Sequence, residues 1–103
     1  MAVVHLPRSL TALFPGAERR VEVDAATVAE LVARLDARWP GFRDRLVEEG
    51  PRIREHVNVF VDGQRADLAT SLDAAAVVHV IPAVAGGAGQ ATLQALAAAG
   101  QAP

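Results

Sequence analysis

The chain has 103 residues, 51% of them hydrophobic and 21% charged, with a formal net charge of −2. That length and balance fit one globular domain and exclude a disordered chain, while the slight negative charge argues against nucleic-acid binding, which needs a basic face. Without cysteine the chain has no disulfide, thiol nucleophile or cysteine-ligated zinc. All its basic residues are arginine, so no lysine amine exists to enter an isopeptide bond or a Schiff base.

Residues 2 to 6, AVVHL, form a β-branched run closed by Pro7 and predict a first strand. Pro15-Gly16 is a turn signal, and the alternating RVEVD over 20 to 24 predicts the hairpin partner. A helix follows. Thr27 and Glu30 have capping-box spacing, and Val28, Leu31, Val32, Leu35 and Trp39 fall on one stripe of a 3.6-residue period. Pro40-Gly41 stops it, and FRDRLVEEG predicts one further helical turn before Gly50-Pro51.

HVNVFVDG over 56 to 63 is the strongest strand, with Val57, Val59 and Val61 on one face, Asn58 and Phe60 on the other, and Asp62-Gly63 as a turn pair. QRADLATSL reads as a short edge strand plus irregular chain, and AVVHVIP over 76 to 82 as a final strand ended by Pro82. This order predicts an α+β fold, a mixed sheet packed on one main helix. The composition changes after Gly87: AGQATLQALAAAGQAP carries no charge and is expected to lie outside the core. The amino-terminal MAVVHLPRS lacks the basic and long apolar parts of a signal peptide, and no run is long enough to span a membrane, so a cytoplasmic location is expected.

The element order, VNVFVDG in the strongest strand and VIPAVAGG at the end of the last resemble the MoaD/ThiS family of ubiquitin-like sulfur carriers. LPRSL, LDARWPGFRDRLVEE and IPAVAGG are most similar to the CysO type, which serves cysteine synthesis. The resemblance covers residues 1 to 87 and implies a β-grasp fold. It divides the chain into a carrier domain, 1–87, and an extension, 88–103. There are two departures: LDAAAVV stands where relatives carry a glycine-acidic turn, with Asp73 keeping part of it, and the chain continues past the glycine pair.

What the resemblance implies is carrier chemistry, not catalysis by this chain. An E1-like enzyme uses ATP to adenylate the carboxylate of Gly87, sulfur replaces AMP, and the thiocarboxylate donates sulfide to an acceptor such as a cysteine synthase. No cofactor stays bound. Gly86 and Gly87 lack Cβ atoms and suit a tail that threads a narrow channel, Ala85 keeps the approach slim, and Pro82 helps release the chain from the sheet. An internal Gly87 has its carbonyl in a peptide bond, so the extension has to be cut away, as a JAMM-type metalloprotease does for some carriers of this kind. The rival readings are a linker to a terminal helix, a protein modifier conjugated through Gly87, and a β-grasp interaction module with no tail chemistry.

If the valines of the two late strands face the helix, Phe60, His79 and Ile81 point outward. They predict an exposed apolar patch for a partner that Pro82 and Val84 continue toward the tail. His5, His56 and His79 lack ligand spacing, so no metal site is expected. Trp39 reads as core, and Arg43, Arg45, Arg52 and Arg54, interleaved with Asp44, Glu48, Glu49 and Glu55, as a solvated mixed-charge face. Ser9 and Ser71 have no nucleophile context.

Overall fold

The computed structural model describes residues 1–82. Strand β1 (Ala2–His5) leads through a single helical turn, α1 (Arg8–Thr11), into β2 (Arg20–Val23). The main helix α2 (Val28–Arg38) and the short α3 (Phe42–Leu46) follow. A two-stranded ribbon, β3 (Val47–Glu48) and β4 (Arg52–Ile53), then precedes β5 (Val57–Val61), β6 (Gln64–Arg65) and β7 (Val77–Pro82). The five-stranded sheet runs β2-β1-β7-β5-β6. Only β1 and β7 pair in parallel, so the first and last strands sit side by side in its middle. This is the α+β, β-grasp arrangement of a mixed sheet over one main helix.

Helix α2 begins where its sequence signal places it. Thr27 is extended, and its hydroxyl accepts from the Glu30 amide at 3.2 Å. The Glu30 carboxylate does not return to complete the box; it pairs with Arg34 one turn on. The two amides before Glu30 find carbonyls on the 66–72 loop instead, Val28 on Thr70 and Ala29 on Leu68. The orphan donors of the first turn are thereby used to fasten helix to loop. Val28, Leu31, Val32 and Leu35 are buried on the stripe. They meet Val4, Val21, Val23, Val59, Val61, Val78 and Val80 from the inner face of the sheet.

Trp39 lies just past the end of α2 and packs on the core at Phe42, with ring centroids 5.6 Å apart and planes tilted by 57°. Phe14 meets Phe42 at the same distance. Gly41 has φ +96°, a conformation that favours glycine, and the Asp36 carboxylate accepts from the amides of Gly41 and Arg43 to start α3.

At the far end, Asp62 and Gly63 both have positive φ, the backbone of a tight two-residue hairpin turn. Asp62 also grips β7, its amide donating to the Val77 carbonyl at 2.8 Å and its carboxylate accepting from the Val77 amide at 3.0 Å. The turn before β7 closes without glycine, through Ala76 N–H on Asp73 at 3.1 Å, and the Met1 ammonium donates to the Ala74 carbonyl beside it.

Candidate functional site

Strand β7 is the last element of the described residues, and it is held on both sides. It pairs in parallel with β1 and antiparallel with β5, in a register that runs from Val61↔Val78 to Val57↔Pro82. Pairing on both edges fixes the position of the strand in the middle of the sheet. Val84, Ala85, Gly86, Gly87 and the 88–103 extension lie outside the described residues.

The alternation of β7 sorts its side chains as expected. Val78 and Val80 are buried in the core, whereas His79 and Ile81 are half-buried on the outer face with Phe60 opposite His79. The exposure differs from expectation. Phe60 is only 9% exposed, and Asn58, opposite Ile81, only 8%. The outer face therefore does not present an open apolar patch. Both residues lie on β5, which has a neighbouring strand on each side, and cross-strand side chains about 5 Å apart shade one another.

The pairing joins Phe60 and His79, expected on one face, to Arg20, His5 and Arg65, which no local signal links to them. One lateral row crosses the whole sheet: Arg20 on β2, His5 on β1, His79 on β7, Phe60 on β5 and Arg65 on β6. The rings of His5 and His79 stack, with centroids 4.6 Å apart and planes within 13° of parallel. His79 Nδ1 is buried with no hydrogen-bond partner. Burial, and next the neighbouring His5, lower the His79 pKa below its ordinary 6.5. The two parallel rings hold their nitrogen lone pairs in separate planes, which do not converge on one ion.

Two grooves flank the end of β7, one on each face of the sheet. The outer groove, about 330 Å³, is lined by His5, Arg19, His79, Ile81 and Pro82, among others. The inner one, about 180 Å³, lies between Pro7, Leu10, Leu13, Val57 and Pro82. The register that creates the row and the outer groove comes from long-range pairing; the local signals were the alternations of β2, β5 and β7.

A five-stranded mixed sheet with parallel first and last strands, folded over one helix, defines a ubiquitin-like β-grasp domain. The sequence model of the ThiS family matches residues 4–87, and the chain belongs to that family. Small archaeal modifier protein 3 of Haloferax volcanii is 40% identical over 68 residues, 62% of this chain and 73% of that protein. A chain in the crystal structure of the Amycolatopsis orientalis BexX/CysO complex superposes with a TM-score of 0.76 at 30% identity, covering 84% of this chain and 100% of that one. Mycobacterium tuberculosis CysO shares the fold with a TM-score of 0.73 at 23% identity, over 82% of this chain and 100% of its own. These relatives are small ubiquitin-like carriers and modifiers rather than catalysts, and the chain is of that kind. Among the described residues no helix is long and apolar enough to cross a membrane.

Proposed function

We propose that the chain is a sulfur-carrier precursor whose reactive group is the carboxylate of Gly87, freed when residues 88–103 are cut away. The observation that supports it most is the extent of the family match, which runs from β1 through β7 and stops at Gly87, the second residue of the glycine pair. Physical chemistry supplies the rest. A carboxylate is a poor electrophile until an E1-like partner transfers AMP to it from ATP, releasing pyrophosphate. Sulfur then displaces AMP, and the resulting thiocarboxylate is a soft nucleophile. Gly86 and Gly87 let the tail pass a constriction, and the fold serves as the handle. ATP belongs to the partner, so the carrier keeps no cofactor.

The likeness to CysO favours a cysteine synthase as the sulfide acceptor, in the cytoplasm. The extension functions as a cap that prevents premature activation, and the resemblance to carriers trimmed by a JAMM-type metalloprotease makes such an enzyme the proposed agent of its removal.

The intact mass of untagged protein isolated from its host tests this reading. A species ending at Gly87, with one terminal oxygen replaced by sulfur, is the expected result. Only the chain through Pro103, even under sulfur demand, would sink it. In the same experiment Gly87→Ala is expected to leave the fold intact and remove most of the thiocarboxylate.

The likeness to small archaeal modifier protein 3 favours a second reading, conjugation of Gly87 to lysines of other proteins. The chain has no lysine of its own and so cannot form lysine-linked chains of itself. Isopeptide remnants of Gly86-Gly87 on other proteins, without thiocarboxylate, would favour the modifier.

A further inference from the structure

The inner groove opens where β7 ends. Pro82, the last residue of that strand, lines it with its register partner Val57, and Pro7 and Leu13 line it around helix α1. Leu10 and Leu46, both buried, also face it. Leu13 is 51% exposed; it and Met1 are the exposed large hydrophobic side chains among the described residues. An apolar occupant would take this leucine and the groove beside it out of water. The groove holds about 180 Å³, below the roughly 300 Å³ at which small-molecule pockets begin, so it suits one or two side chains.

Residues 88–103 carry side chains of that kind. AGQATLQALAAAGQAP has no charge, and Leu93 and Leu96 are its bulkiest apolar residues. A spacing of three is the one that sets two side chains on one face of a helical turn. Ten residues, 83 to 92, separate Pro82 from Leu93. Because the groove begins at Pro82, the chain has only to reverse to reach it, and Gly86 and Gly87 admit the positive φ that a reversal uses. So short a loop costs little entropy to close. A segment tied by it meets the groove at about millimolar effective concentration, at which a weak contact suffices. The outer groove fits this segment less well. Arg19, His5 and His79 line it, and a segment without a carboxylate side chain offers them no ion pair.

We infer that residues 88–103 dock in the inner groove, with Leu93 and Leu96 against Leu13, and so hold the glycine pair folded back against the domain. The regulatory meaning of this contact rests on the carrier-precursor reading above. A looped Gly86-Gly87 cannot extend into a partner's channel. Hydrolysis of the Gly87–Ala88 amide adds the hydroxyl of water to the Gly87 carbonyl carbon and its proton to the Ala88 nitrogen. The same cut ends the tether, and the freed segment, no longer concentrated at the groove, leaves it.

The chain has no cysteine, so Ala95→Cys takes a single nitroxide label between the two leucines. In the full chain the label is expected to broaden the amide signals of Ser9, Leu13 and Arg45, which line the groove, beyond detection. Those of Asp62 and Gln64, beyond the other end of β7, are expected to weaken far less. Leu93→Asp/Leu96→Asp in the labelled chain is expected to restore the lost signals. Leu13→Asp, at an exposed position, is expected to restore those of Ser9 and Arg45 from the groove side. Broadening that ignores both variants, or that centres on His5 and His79, would overturn the assignment. So would broadening passed to an isotope-enriched copy that carries no label, since a second copy would then fill the groove.

The intact mass of the chain from its host is read separately. Docking with no species ending at Gly87 keeps the groove contact and refutes the precursor reading. A species ending at Gly87, with no docking in the full chain, keeps that reading and overturns the groove contact.

Discussion

Two phenylalanines show how differently the two faces of this sheet are used. Phe42 is fully buried under the inner face, between Phe14 and Trp39 and within the core shared by sheet and helix. Phe60 is nearly as inaccessible, yet it lies on the outer face, outside that core, flanked by His79 and Arg65. Burial on the inner face holds the domain together. On the outer face a side chain can be covered locally while its neighbours remain polar and charged.

The sharpest way to break this comparison is to truncate each ring. Phe42→Ala removes atoms from a site closed on all sides and is expected to cost about 3–5 kcal/mol, read as a fall in urea midpoint. Phe60→Ala is expected to cost about 2 kcal/mol, because water and the long stem of Arg65 can refill the space. Equal losses would show that the outer face is a second core.

Next in size is the Asp62 grip on β7. Asp62→Ala puts a Cβ residue at φ +51° without a local side-chain acceptor and strips the Val77 amide of its partner. Together these are expected to cost about 2 kcal/mol. Asp62→Asn keeps both an amide oxygen and tolerance of the left-handed region, so thermal melts of the two variants should separate. If they melt together, the carboxylate does not anchor β7.

At the helix, Thr27→Ala is expected to cost about 1 kcal/mol by removing the acceptor for the Glu30 amide. A larger loss would mean that the extended Thr27 backbone, bridged to Ser71, also depends on the side chain.

These comparisons also mark what was legible in the sequence. Helix α2, β5 and β7 could be read because their signals are local: a cap, a stripe, an alternation. The α1 turn at Arg8–Thr11 and the β3–β4 ribbon could not, since elements of two to four residues lack room for a period. Around Gly50-Pro51 only a break was visible, yet Val47 pairs with Ile53 across it. The glycine pair stood out in the sequence, whereas the lateral row that links Arg20, His5, His79 and Arg65 did not. Arg20, His5, His79 and Arg65 come from four separated segments, and only the register of the sheet aligns them. For the same reason Phe60 was placed on the right face with the wrong exposure: alternation reports direction, and cover depends on neighbours contributed by other strands.

The smallest effect is a dependence on pH, and it belongs to the outer face alone. Burial first, and then His5, hold the His79 pKa below 6.5. The other charged groups around it are Arg19 at the groove and Arg20 and Arg65 in the row, with Glu22 on the neighbouring row. Because its folded-state pKa is lowered, the folded chain keeps His79 neutral at pH values where the unfolded chain has already taken up the proton. The contribution is therefore complete above the unfolded value and is lost as pH falls from about 6.5 toward the lowered folded value. The ring is half-exposed, so water screens much of the penalty and the slope should be shallow. Urea midpoints measured between about pH 5 and 7.5 should decline toward acid in the wild type and decline less in His79→Gln. An equal decline in both would place the acid sensitivity elsewhere. A smaller decline in His5→Gln, with the His79 signal then titrating at higher pH, would identify the stacked neighbour as part of the cause.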